Sequence, residues 1–290
     1  MALKILHTGG RKKIRDSVKF ELENGADTPQ FSYGKFPITY ADTPQFSYGK
    51  FPITYAVNFQ GLSLSVDQEK GMYHYRRALG NWKTEKNVSM SNGSLLIHPV
   101  EPLNLPDNVT DFLEIGFDPI MIEPEGRCVV FVTMPIEIGV FIESESGETE
   151  VLDIVSYIYP KYSMYGNSSR GVITRHHTSS VYYYPPNVRN YQSGLLKLEI
   201  ENRTTGWVNI GRVVLYQKGL FLYFDEHITA ATATVVITSP DVASVTGIDY
   251  PIREDMTPAS RVYVPRKITP FYNIPGMLND TVFTMDMGLI

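Results

Sequence analysis

Few side chains in this 290-residue chain could carry chemistry: six histidines, one cysteine and some closely spaced carboxylates. His176 and His177 are adjacent. Neighbours along a strand point to opposite faces, so these two cannot easily share a metal ion. His74 and His98 lie far away in sequence, and only the fold could gather them into a site of three or four ligands. No metal site is expected. Cys128 is the one cysteine, which excludes an intrachain disulfide and a multi-cysteine zinc site. It sits in a strand-type run with Val129, Val130, Phe131 and Val132, so a buried, inert thiol is expected rather than a nucleophile. No Gly-x-Ser-x-Gly elbow is present, nor a glycine-rich loop of the P-loop or dinucleotide type. The pairs Glu123 with Glu125 and Glu143 with Glu145 are spaced so that they could flank a glycosidic bond. Both fall in acidic loops, where solvated carboxylates are expected. The chain is therefore expected not to be an enzyme and to need no cofactor.

Binding chemistry is better represented. Lys161, Tyr162, Tyr165, Arg175, His176, Tyr182 and Tyr184 lie close together in sequence. Aromatic rings with a few cations on a sheet rim suit a sugar, an anion or the edge of a protein. The same residues also fit a tyrosine-rich sheet face with ordinary packing. Six Asn-x-Ser/Thr sequons, at Asn87, Asn92, Asn108, Asn167, Asn202 and Asn279, would matter only outside the cell. Residues 1–15 carry charge but no apolar signal region, so the sequons are read as turn chemistry.

The elements that must position these groups read as strands. In 136–142, Ile136, Ile138, Val140 and Ile142 share one face while Glu137, Gly139 and Phe141 share the other, the alternation of a half-buried strand. Glu125-Gly126 after Pro124 is a turn signal, predicting that 120–122 and 129–133 pair as a hairpin. Asn92-Gly93 predicts a hairpin between 88–90 and 95–97. Residues 196–200 and 207–214 form a third candidate hairpin, around the loop 202–206. A turn is also expected at Glu69-Lys70-Gly71. No long amphipathic helix is visible. From Asp249 onward prolines recur at 251, 258, 265, 270 and 275, predicting an extended tail that wraps the surface.

The N-terminal region is unusual. The basic cluster Arg11, Lys12, Lys13 and Arg15 suits a solvated terminus. The string A-D-T-P-Q-F-S-Y-G-K-F-P-I-T-Y then occurs twice without a difference, at 26–40 and 41–55. Two copies are too few for a solenoid. Both carry the same strand-forming aromatics and compete for one slot in a sheet, and an odd-numbered insertion swaps the faces if pairing continues through it. The second copy runs directly into the strand-like residues after it and is expected to take the slot.

These patterns predict an all-β protein of antiparallel β-sandwich layers in two packed modules, with a Pro-rich extended tail. The expected division is an extension over 1–40, a first module over 41–148, a second over 149–248 and the tail over 249–290. Hydrophobic residues make up 43% of the chain, ordinary for a protein with a real core, and the net charge of −5 offers no basic field for nucleic acid. No apolar run approaches a membrane span. A cytoplasmic location is expected.

Four short strings carry a family resemblance: V-E-P-L-N-L-P at 100–106, P-I-E-I-G-V-F-I at 135–142, P-K-Y-S-M-Y-G-N at 160–167 and G-V-I-T-R-H at 171–176. In order and spacing they resemble the archaeal family known as domain of unknown function 432, over about Phe46 to Phe224. That family begins near the equivalent of Y-G-K-F, so the first 40 residues read as an extension. The resemblance implies a β-rich fold, no established activity, and an association with gene neighbourhoods of small-conductance mechanosensitive channels. The expected function is a non-enzymatic protein-interaction or accessory module, with a channel as a possible protein partner. The alternative is a carbohydrate- or small-ligand-binding module using the tyrosine-rich face.

Overall fold

A computed structural model describes residues 46–102, 109–166, 171–189, 191–262 and the backbone of 282–286. The basic cluster and the first repeat copy lie outside these residues. Three strand pairs near the start are tight hairpins. β1 (Gly49–Pro52) comes from the second repeat copy, followed by β2 (Tyr55–Phe59), β3 (Leu62–Glu69), β4 (Met72–Leu79) and β5 (Trp82–Val88). Gln60-Gly61 and Lys70-Gly71 turn β2 into β3 and β3 into β4, with both central residues at positive φ. That is the geometry whose twist matches the flanking strands, and it places a turn where Lys70-Gly71 predicted one.

β6 (Gly93–Val100) leads away to β7 (Phe112–Ile122) and β8 (Arg127–Pro135). The chain then returns as β9 (Glu137–Ser144) and β10 (Thr149–Val155). The remaining strands are β11 (Lys161–Tyr165), β12 (Val172–Thr178), β13 (Ser193–Asn202), β14 (Val208–Tyr216), β15 (Tyr223–Phe224), β16 (Thr229–Ser239), β17 (Val242–Ile248), β18 (Thr257–Pro258) and β19 (Val282–Asp286). Among the described residues the one helical turn is a 3-10 turn at Gln217–Gly219.

Four sheets result. Sheet I has the order β1-β6-β9-β10 and sheet II the order β2-β3-β4-β5. Leu62, Leu64, Val66 and Tyr75 of sheet II pack against Leu95, Ile97, Ile138 and Val140 of sheet I, forming the first sandwich. Sheet III has the order β11-β12-β7-β14. Sheet IV has the order β18-β15-β16-β13-β8, with β17 on β16 and β19 on β17. Leu113, Ile115, Val213 and Leu215 of sheet III meet Val130, Val132, Leu196 and Leu198 of sheet IV in the second core. Pairing is antiparallel except for β12 with β7 and β13 with β16, which are parallel. Parallel neighbours need a long crossover, and the β7-to-β12 connection supplies it by running through the first sandwich.

The all-β sandwich architecture is as expected, but a contiguous boundary at 148/149 does not describe it. β7 and β8 belong to the second sandwich, while β9 and β10 belong to the first. The three predicted hairpins are also corrected. β5 and β6 lie in sheets II and I, β7 and β8 in sheets III and IV, and β13 and β14 in sheets IV and III. Each turn is a corner between facing sheets. At the first corner a side chain on Gly93 would meet the Glu143 carbonyl at 2.4 Å. At the other two, Asn202 is the peg. Its buried amide nitrogen donates to the carbonyls of Ile122 (3.2 Å), Glu123 (2.8 Å) and Gly206 (2.9 Å), and its oxygen accepts from the Thr204 backbone N–H (3.0 Å). β9 is buried on both faces rather than one, because it is a central strand whose Phe141 enters a small cluster with Leu96 and Val100. In the tail, β18 and β19 each extend sheet IV, and residues 263–281 lie outside the described part.

Candidate functional site

The predicted binding residues fall on and around sheet III. Residues opposite each other in a ladder share a face, and neighbours along a strand alternate. The register pairs Lys161 with His176, Ser163 with Thr174, His176 with Glu114, and Arg212 with Gly116. One face of the sheet therefore gathers Lys161, Ser163, Thr174, His176, Glu114 and Arg212. Tyr162, Met164, Ile173, Arg175 and His177 share the opposite face with the core residues Leu113 and Ile115.

Glu114 is the hub of the polar face, buried beneath it. Its Oε2 accepts from Ser163 Oγ and Thr174 Oγ1, each at 2.7 Å. Its Oε1 faces Arg212 Nη1 at 3.5 Å and His176 Nδ1 at 3.9 Å. His176 Nε2 lies 3.3 Å from Thr178 Oγ1. Above these groups is an open depression of about 480 Å³, with Asp118 and Thr178 on its rim.

The opposite face turns Arg175 inward. It is almost fully buried, and its Nη1 donates to Glu137 Oε1 at 2.6 Å. Glu137 begins β9, where the chain crosses back to the first sandwich. Glu101, where the chain leaves that sandwich, is a second buried carboxylate, with an Oε1 that finds no hydrogen-bond partner among the described residues. Burial pushes its carboxyl up to about 7, against its own backbone hydrogen bond and the nearby charges of Arg261 and Lys218, with Glu137 adding to the rise. Both crossings of 101–136 between sandwiches thus carry a buried acid.

Of the seven predicted face residues, sheet III keeps Lys161 and His176 together on the polar side. Tyr162 lies on the other side at the edge, and Tyr165 is buried in the second core. Tyr182 lies on sheet IV: its N–H and C=O both bond Phe131 of β8 (2.9 and 2.7 Å), and Ser179 Oγ accepts from Thr133 N (2.8 Å). The segment from Ser179 to Tyr182 therefore covers the outer edge of β8. Tyr184 is exposed beyond it. Glu114, Ser163, Thr174 and Arg212 were not singled out from sequence. Parity was the available signal, since Leu113, Ile115 and Phe117 alternate with Glu114 and Gly116.

The other candidate chemistry disperses. His177 Nε2 lies 3.0 Å from Thr133 Oγ1 on the face away from His176, and burial with the Arg175 and His176 charges lowers it to about 4. His74 pairs with Asn87 (2.7 Å), and His98 accepts from the Ser260 N–H (3.1 Å). Among the described residues no group of three His, Cys, Asp or Glu side chains is placed to hold a metal ion. Cys128 is half-buried, and burial pushes its thiol up. Glu143 pairs with Lys50 and Glu145 accepts from Asn92 (2.9 Å). No helix among the described residues is long and apolar enough to cross a membrane.

Beside this, the edge strand β11 stands out. Among the described residues it pairs on one side only, with β12. Its Met164 is 59% exposed, Tyr162 40%, and Ile173 of β12 opposite Met164 50%. A comparison of the chain with known protein families matches the model described as "Protein of unknown function (DUF432)" over residues 47–286. No curated protein and no solved structure gives a significant match.

Proposed function

The chain belongs to the DUF432 family, and from that premise and the geometry of sheet III we propose that it is a non-enzymatic protein-interaction module that receives an extended segment of a partner along β11. The observation that carries this is an edge that pairs with no further strand among the described residues. Natural sheets blunt their open edges with charges, bulges or cover, because an unpaired row of N–H and C=O groups templates another strand. Edge strand β5 carries Lys83, Glu85 and Lys86, and edge strand β10 carries Glu150, Asp153 and a bulge between Val151 and Asp153. The edge of β8 is covered by Ser179 to Tyr182. β11 has a regular register and, after Lys161 at its start, exposes Tyr162 and Met164.

The chemistry of the occupant follows from cross-strand pairing, in which directly opposite side chains interact. An added strand would set apolar residues against Tyr162 and Met164 and an acidic residue against Lys161. The partner segment is therefore extended, alternating apolar with acidic. This is strand addition, with main-chain bonds giving affinity and alternate side chains giving specificity. The family resemblance makes the cytoplasmic part of a mechanosensitive channel the first partner to test, and a lone, half-buried thiol suits a reducing compartment.

The hydrolase reading is weaker. Thr178, His176 and Glu114 stand in the order hydroxyl, imidazole, carboxylate, but 3.9 Å between His176 and Glu114 is beyond a hydrogen bond, and Arg212 already faces the same oxygen. The tyrosine-face reading loses its surface, because Tyr162, Tyr165 and Tyr182 lie at an edge, in a core and on another sheet.

The test uses a labelled peptide alternating valine with glutamate, followed by fluorescence anisotropy. Saturable binding that Met164→Lys and Lys161→Glu each weaken by about tenfold or more supports strand docking, since a lost cross-strand pair plus a misplaced charge is worth about 1–2 kcal/mol. Binding unaffected by both variants, or none at all, overturns it.

A further inference from the structure

The slot that residues 46–53 of the second repeat copy fill makes specific demands on its occupant. Phe46 is 1% exposed. Its ring stacks on Phe59 (centroids 5.5 Å apart) and meets Tyr191 edge-on (5.0 Å), and the Tyr191 hydroxyl donates to the Phe46 carbonyl (2.5 Å). Tyr48 packs on Tyr191 (4.9 Å) and on Phe224 of sheet IV (5.4 Å), so this short segment touches both sandwiches. Gly49 lies at φ +152°, where other side chains are rarely found, and Pro52, without a backbone donor, sits on an edge strand of sheet I. β1 pairs with residues 94–97 of β6, Lys50 pairs with Glu143, and Ile53 enters the first core.

A second segment of the chain meets all of these demands. Residues 31–38 are the same eight residues, with Phe31, Tyr33, Gly34 and Pro37 at the positions of Phe46, Tyr48, Gly49 and Pro52. Identical side chains on an identical backbone make identical contacts, so packing does not favour either copy. What separates them is the connection to β2. Thr54 alone now links the slot to Tyr55, whereas with 31–38 in place the sixteen residues 39–54 would close the same gap. Loop closure scales as the three-halves power of loop length, which disfavours the first copy by only about 60-fold.

We infer that the slot has two occupants within one chain, and that residues 31–38 exchange with 46–53 in it. At about 60-fold the exchanged state is about 2% of the population, within the range of minor states that a substitution brings to dominance. The inference is independent of strand docking at β11.

The experiment is urea unfolding of four full-length chains, followed by circular dichroism at several protein concentrations. Removing two packed aromatic rings, Phe46→Ala with Tyr48→Ala, would lower the folding equilibrium by about 10³–10⁴-fold if nothing replaced them. With the first copy able to enter, the loss should stop at about 60-fold. Phe31→Ala with Tyr33→Ala should change nothing measurable, because that copy is outside the slot in most molecules. All four substitutions together should show the full loss, far beyond the sum of the two pairs, which is the mark of coupled positions. If the chain carrying Phe46→Ala and Tyr48→Ala is as unstable as the chain carrying all four, or fails to fold, the inference is overturned. It is also overturned if Phe31→Ala with Tyr33→Ala destabilises by itself. Stability of the Phe46→Ala, Tyr48→Ala chain that rises with protein concentration overturns exchange within one chain, since the rescuing segment would then come from a second molecule.

Discussion

The buried acid at Glu101 makes this protein's stability depend on pH near neutrality, in a direction opposite to most carboxylates. Glu101 is 2% exposed, and burial raises its carboxyl from 4.5 to about 7. Because the folded value lies above the unfolded one, Glu101 contributes fully below about pH 4.5. That contribution is lost as pH rises through 7, where the folded chain must either hold a buried charge or open to release it. Moving a carboxyl by that much corresponds to about 3 kcal/mol at about 1.4 kcal/mol per pH unit. The Arg261 and Lys218 charges are already included in that balance, and relaxation of the crossing makes the figure an upper bound. Glu101→Gln keeps the shape and removes the charge. At pH 8 it should raise the melting temperature by about 5–10 °C, using about 2–4 °C per kcal/mol for a domain of this size. At pH 5 the two proteins should melt within a degree or two of each other. Differential scanning calorimetry at both pH values is the assay. A difference that is the same at pH 5 and pH 8, or a variant that is less stable at both, would refute the reasoning.

Three other outcomes follow from named contacts. Asn202→Ala removes the buried amide that ties the carbonyls of Ile122, Glu123 and Gly206 together across two corners and should cost about 2–4 kcal/mol in urea unfolding. Arg175→Leu leaves Glu137 buried without its 2.6 Å partner and should cost about 3–5 kcal/mol, most of it recovered by Arg175→Leu with Glu137→Leu. Trp82 and Trp207 are 56% and 65% exposed, so the native emission maximum should already lie near that of water-exposed indole and move little on denaturation.

Strand content was legible in the sequence because alternation and turn residues report it directly. Lys70-Gly71 supplied a two-residue turn, and the structure closes β3 onto β4 there. What could not be read was which sheet the next strand joins. Asn92-Gly93, Glu125-Gly126 and 202–206 look like hairpin turns, yet each is a corner between facing sheets. A turn signal fixes a reversal of direction. It does not say whether the returning strand lies beside its predecessor or across the core from it; at the second and third corners that choice is held by one side chain, Asn202. The module boundary was missed for the same reason, since the return of β9 to the first sandwich depends on contacts distant in sequence. The predicted binding cluster is close in sequence but is not gathered on one face of the fold. Lys161 and His176 meet across a ladder, whereas Arg175, next to His176, points into the interior by the same alternation that was used to separate His176 from His177. Parity puts Glu114 on the polar face of β7 but does not say what it meets; β7 and β14 bring Glu114 and Arg212 to β12 from about 60 residues upstream and from beyond the third corner.

Strand docking is tested most directly by hydrogen–deuterium exchange of the backbone amides with and without the alternating valine–glutamate peptide. The added strand should slow exchange in β11, Lys161–Tyr165, while the edges of β5 and β10 stay unchanged, and Met164→Lys should abolish the effect. Unchanged exchange in β11 at saturating peptide, or protection centred on another edge, would contradict it.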